Sequence, residues 1–228
     1  MRDFIITGFI FLTVVPFSYA TPIYGPELPE KGKIHIGAQT HYVNEKELQD
    51  DYGEMQSLQH FLLLSYGITD WFSLDLKGGA GNVRITFSDG SKLKYPAYMA
   101  GGYGFRIKAY DFDENKGKVI VGFQHISVHP YSIWIGNTKH KAVLDDWQWS
   151  TLASYDFSFV HPYLGFKWAT MDYIHWVSGD RNLVKTDKNK RMGCVLGFNI
   201  PISEKLWFNV EGHFIDSEAA SFSFMYKF

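Results

Sequence analysis

Apolar and polar side chains alternate with a period of two along most of the chain. The alternation is clearest near the C-terminus, where Phe222, Phe224 and Tyr226 share one face and Ser221 and Ser223 share the other. Side chains alternate across a β-strand, so the pattern predicts strands with one apolar and one polar face. Ten strands are predicted, over residues 33–42, 56–68, 71–80, 95–110, 118–128, 147–159, 163–176, 190–200, 206–214 and 219–228.

The residue types on the two faces favour a membrane barrel over a soluble sandwich, which would also alternate. Aromatic residues lie at the ends of the apolar faces, as in the interfacial girdles of membrane barrels. They are Tyr66, Trp71, Trp147, Trp149, Phe159 and Trp176. We therefore predict an all-β fold, a closed antiparallel up-and-down transmembrane β-barrel of about ten strands, with eight or twelve as alternatives.

The connections between the predicted strands alternate in length. The connections after the second, fourth, sixth and eighth strands are turns, whereas residues 44–53, 81–94, 129–145 and 178–188 are predicted as longer polar loops. Short turns on one side and longer loops on the other are typical of outer-membrane barrels. An even number of strands returns both termini to one side, so strand 219–228 is predicted to pair with strand 33–42.

The N-terminus has the layout of a secretory signal peptide. Arg2 precedes an apolar run over 4–17, and Ser18-Tyr19-Ala20 is a small-residue cleavage site. The alternative is a membrane anchor helix, but the run is shorter than the roughly 20 residues that a spanning helix needs. We predict a signal peptide at 1–20 for export through the Sec pathway, a Pro-containing lead at 21–30 and the barrel at 31–228.

The last predicted strand carries an aromatic stripe that ends on Phe228. It resembles the C-terminal strand of bacterial outer-membrane β-barrel proteins, whose terminal aromatic residue is an assembly signal. The resemblance implies a location in the outer membrane of a Gram-negative envelope. It also implies outer-membrane lipid and lipopolysaccharide as surroundings, and the barrel-assembly machinery as a partner that binds the strand ending at Phe228.

Composition narrows the possible functions. The chain has 22 Lys and Arg against 24 Asp and Glu, a balance that argues against a nucleic-acid binder. The mean hydropathy of −0.16 is compatible with a membrane barrel, because polar lumen residues offset the lipid-facing ones. The single cysteine, Cys194, excludes an intramolecular disulfide, and no residue pattern points to a metal or cofactor.

The polar faces of the predicted strands carry charged residues at mid-strand. We predict a lumen network of Asp75, Lys77, Arg106, Lys108, Asp156, Lys167, Glu211 and His213. Such residues fill a small barrel as ion pairs, or they line a selective ion path. The predicted role is accordingly structural, narrow-pore (porin-like) or surface-interacting, and the sequence favours a non-enzymatic protein.

One short pattern offers an alternative. His125 and Ser127 lie two apart on one face of the fifth predicted strand, and Asp145 precedes the sixth. A hydroxyl beside a His with a carboxylate is the arrangement of an activated nucleophile. His125-x-Ser127 resembles the motif of the outer-membrane lipid A deacylase family, which implies a site on the outer barrel wall. The family's Asn after the Ser is Val128 here, and its downstream Glu is absent; the non-catalytic alternative is that His125 is a polar interfacial residue.

Overall fold

The computed structural model describes residues 24–114 and 116–228. The predicted signal peptide lies outside these ranges. Within these two ranges twelve strands are formed: β1 Ile34–Leu48, β2 Gly53–Thr69, β3 Phe72–Phe87, β4 Lys92–Phe112, β5 Gly117–His129, β6 Ile133–Ile135, β7 Thr138–Tyr155, β8 His161–Val177, β9 Asp180–Lys185, β10 Met192–Pro201, β11 Leu206–Phe214 and β12 Glu218–Lys227. A 3-10 turn at Lys188–Lys190 precedes β10. In the described ranges, no helix is long and apolar enough to cross a membrane.

Ten of the strands close into an antiparallel barrel, as predicted, and β6 and β9 are short additions at its edge. Closure is made by β12, which pairs with β1 from His35 opposite Lys227 to Val43 opposite Ala219. The Phe228 amide extends this pairing by donating to the Ile34 carbonyl at 3.0 Å. Every barrel strand therefore has two hydrogen-bonded neighbours, which satisfies the backbone without water.

Both ends of the described barrel chain lie at one mouth, which we call the terminal end. The connections at this end are the turns after β2, β4, β7 and β10, as the sequence predicted. The other mouth, the far end, carries the hairpins from β1 to β2 and from β3 to β4, and the segments that contain β6 and β9. In a bacterial outer-membrane barrel the terminal end faces the periplasm and the far end faces outward.

A belt of large apolar side chains surrounds the outside of the barrel. Leu62 is 70% exposed and Phe166 is 62% exposed, and neither contributes to a soluble core. The predicted outward residues of the C-terminal strand, Phe222, Phe224 and Tyr226, belong to the same belt. Apolar surface of this extent around a closed sheet is stable in lipid. The protein is therefore a membrane-spanning barrel of the outer-membrane type.

The predicted far-end loops are wrong in detail, because most of their residues extend the strands. Residues 81–87 belong to β3 and residues 138–145 to β7. In these extensions the apolar side chains face inward and the polar ones outward: Val83 and Ile85 are buried, whereas Arg84 is exposed. The inward residues form what we call the apolar cap, which includes Val43, Met55, Ile85, Tyr95, Leu144 and Tyr173. The barrel thus has an apolar interior at its far end and a polar interior below it.

Candidate functional site

Arg106 on β4 is the centre of a buried polar network in the terminal half of the lumen. Its guanidinium group donates to both oxygens of Asp75, from Nε at 2.9 Å and from Nη2 at 2.7 Å. Nη2 also donates to Ser65 Oγ at 3.2 Å. Glycine occupies position 104, opposite Asp75, where a Cβ atom would lie 2.3 Å from the Phe123 carbonyl oxygen. The predicted lumen residues Asp75 and Arg106 thus form a two-point ion pair inside the barrel.

The N-terminal lead enters the lumen from the terminal end, which the sequence analysis did not predict. Arg106 Nη1 donates to the carbonyl oxygens of Tyr24, Gly25 and Glu27, at 3.2, 3.0 and 2.7 Å. Lys77 Nζ lies 4.2 Å from the centroid of the Tyr24 ring, within cation–π range. The lead is therefore bound to the network and does not hang free below the barrel.

Glu27 fixes the lead to the barrel wall. Its Oε1 accepts a hydrogen bond from Lys118 Nζ at 2.8 Å and lies 3.1 Å from His161 Nδ1. Burial alone raises the pKa of Glu27, but the Lys118 ammonium and the His161 ring outweigh burial and hold this pKa well below its usual range. Glu27 is therefore a carboxylate at neutral pH, with a cation beside it.

A second group of polar residues surrounds Glu211 on β11. Tyr163 donates from its hydroxyl to Glu211 Oε2 at 2.7 Å, and His213 Nε2 lies 2.5 Å from Glu211 Oε1. Asn209 Nδ2 donates to the Tyr163 hydroxyl at 2.8 Å. The predicted lumen residues Glu211 and His213 thus lie in one hydrogen-bonded cluster, to which Tyr163 and Asn209 are added.

Asp216, in the far-end turn between β11 and β12, pairs with two buried lysines. Its Oδ2 lies 3.1 Å from Lys46 Nζ and 3.0 Å from Lys167 Nζ, and all three side chains are buried. Lys167 is a predicted lumen residue, whereas Lys46 and Asp216 come from segments predicted as a loop and a turn. Lys46 faces inward because the β1–β2 pairing shifts register between Val43 and Lys46.

Two predicted lumen residues lie at the terminal rim, which corrects their placement. Lys108 is partly exposed and pairs with Asp111 at 2.8 Å, beside the register shift between Lys108 and Tyr110. Asp156 follows the last residue of β7 and lies in the turn, where its Oδ1 is 3.0 Å from His161 Nε2. Neither side chain reaches the buried network, because the strands end or shift before them.

The outer wall brings together the three residues of the predicted nucleophile pattern. Ser127 on β5 stands opposite Asp145 on β7, and its hydroxyl donates to Asp145 Oδ1 at 2.5 Å. His125, also on β5, has its Nε2 3.7 Å from the same carboxylate oxygen. These side chains face out of the barrel, because the alternate residues of β5 are buried. The predicted outward phase of β5 therefore agrees with the structure.

His129 is the member of this cluster that sequence reasoning missed. Its Nε2 lies 2.8 Å from Ser127 Oγ, whereas His125 makes no such contact with Ser127 within the described residues. The period of two already placed His125, Ser127 and His129 on one face, so the signal was present. We call Ser127, Asp145, His125 and His129 the wall cluster.

Aromatic and small residues surround the wall cluster. The His125 ring lies 4.1 Å from the Trp147 ring and 5.3 Å from the Tyr103 ring, measured between centroids. On the other side, Gly101 stands opposite Ser127 and Gly78 stands opposite Gly101, so no side chain covers this row. The row leads to a groove of about 460 Å³ on the lipid-facing wall, lined by Ala38, Thr40, Leu62, Gly78, Phe222 and Phe224. A hydroxyl–carboxylate pair thus lies beside a shallow apolar groove.

Metal chemistry finds no support in the part of the chain that the structure describes. Across residues 24–114 and 116–228, no three His, Cys, Asp or Glu side chains are grouped so as to hold a metal ion.

Comparison with known proteins gives similarity to solved barrels at low sequence identity. No protein-family model and no curated protein matches the chain. The translocator domain of the autotransporter NalP from Neisseria meningitidis is 11% identical with a TM-score of 0.49, over 87% of this chain and 90% of that one. The transport unit of the autotransporter AIDA-I from Escherichia coli is 14% identical with a TM-score of 0.46, over 90% and 94%. The attachment invasion locus protein Ail of Yersinia pestis is 13% identical with a TM-score of 0.41, over 87% and 99%.

Proposed function

We propose that the protein is a sealed outer-membrane barrel that acts through its outer surface and does not conduct solutes. The observation that carries this proposal is the filling of the lumen in two successive layers. The apolar cap and the ion pairs around Asp216 occupy the far half, and the ion pair of Arg106 with Asp75 occupies the half below it. The lead adds a third obstruction at the terminal end through its contacts with Arg106 and Lys118.

Side chains that fill a small barrel leave no continuous aqueous path. A selective pore needs charges that line open water, whereas the buried charges here are matched by partners within hydrogen-bonding distance. The surfaces that remain for function are the outward faces of the strand extensions at the far end. This is the surface-interaction role among the roles that the sequence predicted.

We expect the purified protein to give no stepwise conductance in planar lipid bilayers. The reason is that an ion entering the lumen would have to displace buried, paired side chains and the apolar cap. A porin inserted under the same conditions serves as the positive control for insertion and detection. Stepwise conductance that persists after repeated purification would overturn the sealed-barrel proposal in favour of a narrow pore.

A second candidate function is favoured by the wall cluster: hydrolysis of an acyl ester of an outer-leaflet lipid. In this scheme Ser127 Oγ attacks the ester carbonyl while Asp145, which already accepts the Ser127 hydrogen bond, takes its proton. The acyl group becomes an ester on Ser127 Oγ, and the alcohol of the lipid leaves with the proton that Asp145 took. Water then attacks this ester, Asp145 accepts a proton of the water and returns it to Ser127 Oγ, and the fatty acid is released. His129 donates to Ser127 Oγ and keeps the hydroxyl directed at Asp145.

For this candidate, Ser127→Ala is expected to reduce fatty-acid release from lipid A by about 10³-fold, because the nucleophile is lost. His125→Ala tests whether the more distant imidazole takes part. The matched control is Thr151→Val, because Thr151 carries an exposed hydroxyl on β7 outside the groove and the wall cluster. Mass spectrometry of released fatty acids makes the measurement, and equal release by wild type and Ser127→Ala removes the wall cluster from the chemistry.

A further inference from the structure

An exposed basic and aromatic surface lies on the far-end extension formed by β6, β7, β8 and β9. Trp134 stands opposite Lys139, Lys141 stands opposite Trp176, and Trp176 stands opposite Arg181. We call these five residues the basic–aromatic surface. Trp134, Lys139, Lys141 and Trp176 line a cavity of about 480 Å³, and Arg181 lies beside Trp176 on the neighbouring strand. Nothing in the sealed barrel or the wall cluster uses them.

The cations of this surface are arranged around one indole ring. Lys141 Nζ lies 4.7 Å from the Trp176 ring centroid, and Arg181 Cζ lies 6.0 Å from it. Within the described residues, no carboxylate forms an ion pair with Lys139, Lys141 or Arg181; Asp180, beside Arg181, is exposed. Two lysines line the cavity, and an arginine lies beside the same indole ring. Such a group of cations without a paired carboxylate is suited to bind an anion, because Arg and Lys both bind phosphate.

The position of the surface relative to the lipid indicates which anionic group it can contact. Lys139 and Lys141 project from the same face of β7 as Trp147 and Trp149, which contact lipid. Asp145 is the first charged outward residue of β7 beyond the exposed Trp147 and Trp149, so the edge of the hydrocarbon is placed at its level. Lys141 lies four positions further along β7, which at about 3.3 Å per residue and a strand tilt of about 40° is about 10 Å along the membrane normal. The surface therefore faces sideways, above the hydrocarbon, toward the headgroups of neighbouring lipids.

We propose that the basic–aromatic surface binds the phosphorylated sugar headgroup of an outer-leaflet glycolipid. Lys139, Lys141 and Arg181 bind the phosphate group, and the flat faces of Trp134 and Trp176 contact the apolar face of a sugar ring. A headgroup that reaches about 10 Å beyond the hydrocarbon is needed, which a sugar headgroup does and a compact phospholipid headgroup does not. The inference rests on the surface-interaction role proposed above and names its ligand class.

The test uses the full protein in detergent, titrated with rough-type lipopolysaccharide and followed by microscale thermophoresis. The variant Lys139→Gln/Lys141→Gln/Arg181→Gln is expected to bind about tenfold or more weakly. The matched control is Arg84→Gln/Lys92→Gln/Lys94→Gln, which removes the same charge from another exposed far-end hairpin that has no tryptophan. The control is expected to lose less than about threefold, because its cations do not converge on an indole.

An equal loss of affinity in both triple variants overturns the proposal, because it would show attraction to net charge alone. No loss of affinity in either variant overturns it too, because the surface would then not contact the ligand. Equal binding of dephosphorylated lipopolysaccharide also overturns it, and so does preference for heparin, which would identify a soluble polysaccharide as the source of the anion. Heat-modifiable mobility on gels shows that each variant is folded. If the triple variant is not folded, Lys141→Gln against Lys94→Gln makes the same comparison. Bilayer conductance tests the sealed barrel separately from glycolipid binding. If the protein does not conduct and the triple variant binds lipopolysaccharide as the wild type does, glycolipid binding by this surface is wrong and the sealed barrel still holds.

Discussion

Replacing Arg106 with Met is expected to lower the free energy of unfolding by about 3–5 kcal/mol, because a buried ion pair loses one partner. Asp75 would stay behind in the lumen with its side chain fully buried and its two guanidinium hydrogen bonds gone. The carbonyl oxygens of Tyr24, Gly25 and Glu27 would lose their donor in the same step. The lead and the barrel would therefore be weakened together.

Urea unfolding in lipid vesicles, followed by tryptophan fluorescence, measures this effect. Lys108→Gln is the control, since its pair with Asp111 is partly exposed and is worth at most about 1 kcal/mol. The double variant Asp75→Asn/Arg106→Met is expected to recover part of the loss, because no lone carboxylate remains. If Arg106→Met and Lys108→Gln unfold at the same urea concentration, the Arg106 network does not hold the barrel together.

Gly79→Ala is expected to cost about 3 kcal/mol or to prevent folding, whereas Gly78→Ala, at the next residue, is expected to change stability by less than about 0.5 kcal/mol. A Cβ atom at Gly79 would lie 1.8 Å from the His60 carbonyl oxygen on β2, so the two strands would have to move apart. A Cβ atom at Gly78 meets nothing within 4 Å. The two variants differ by one residue in position and are identical in chemistry.

Heat-modifiable mobility and the urea midpoint distinguish the two glycine variants. A cost for Gly79→Ala alone confirms that β2 and β3 approach too closely there for a side chain. A cost for Gly78→Ala equal to that of Gly79→Ala contradicts this account, since a shared loss would arise from backbone flexibility and not from crowding.

The lipid-contacting part of the fold could be predicted from the sequence because lipid imposes a simple rule on each strand. Outward residues such as Leu62 and Phe224 are apolar, and inward residues such as Gln39 are polar. The closing pair of β1 and β12 followed from the even strand count and the aromatic C-terminal strand. Register followed from the side-chain period, because a slip of one residue would turn every aromatic side chain into the lumen.

The strand extensions were missed because the rule reverses where the strands leave the lipid. In Val83-Arg84-Ile85-Thr86-Phe87 the apolar side chains face inward, and a search for apolar residues on the outward face loses the strand at that point. The alternation itself continues through Ile85, so the extension was present in the pattern with its phase inverted. Beyond the lipid, water lies outside the barrel and packed side chains lie inside it. Apolar residues therefore face inward and polar residues face outward, as in a soluble barrel.

The N-terminal lead and the wall cluster illustrate two kinds of contact that a local sequence pattern does not predict. Tyr24 and Glu27 lie far along the chain from Arg106 and Lys118, and no periodicity connects such distant partners. Ser127 and Asp145 were brought together by hairpin register, which strand assignment could anticipate. Which imidazole contacts Ser127 depends on side-chain geometry, and for that reason the sequence pointed to His125 while His129 makes the contact.

The unequal lengths of the strands are levelled by the segment around β9. β10, β11 and β12 have 10, 9 and 10 residues, whereas β2, β4 and β7 have 17, 21 and 18. Beyond the three short strands, Leu48 at the end of β1 bridges to Thr186, and the Gln49 amide donates to the Lys185 carbonyl at 2.9 Å. β9, which pairs with β8, therefore carries the wall across to β1 at the far end. The part of the wall beyond the lipid thus has its own closing seam, made by different residues from the β1–β12 pairing that closes the membrane-spanning part.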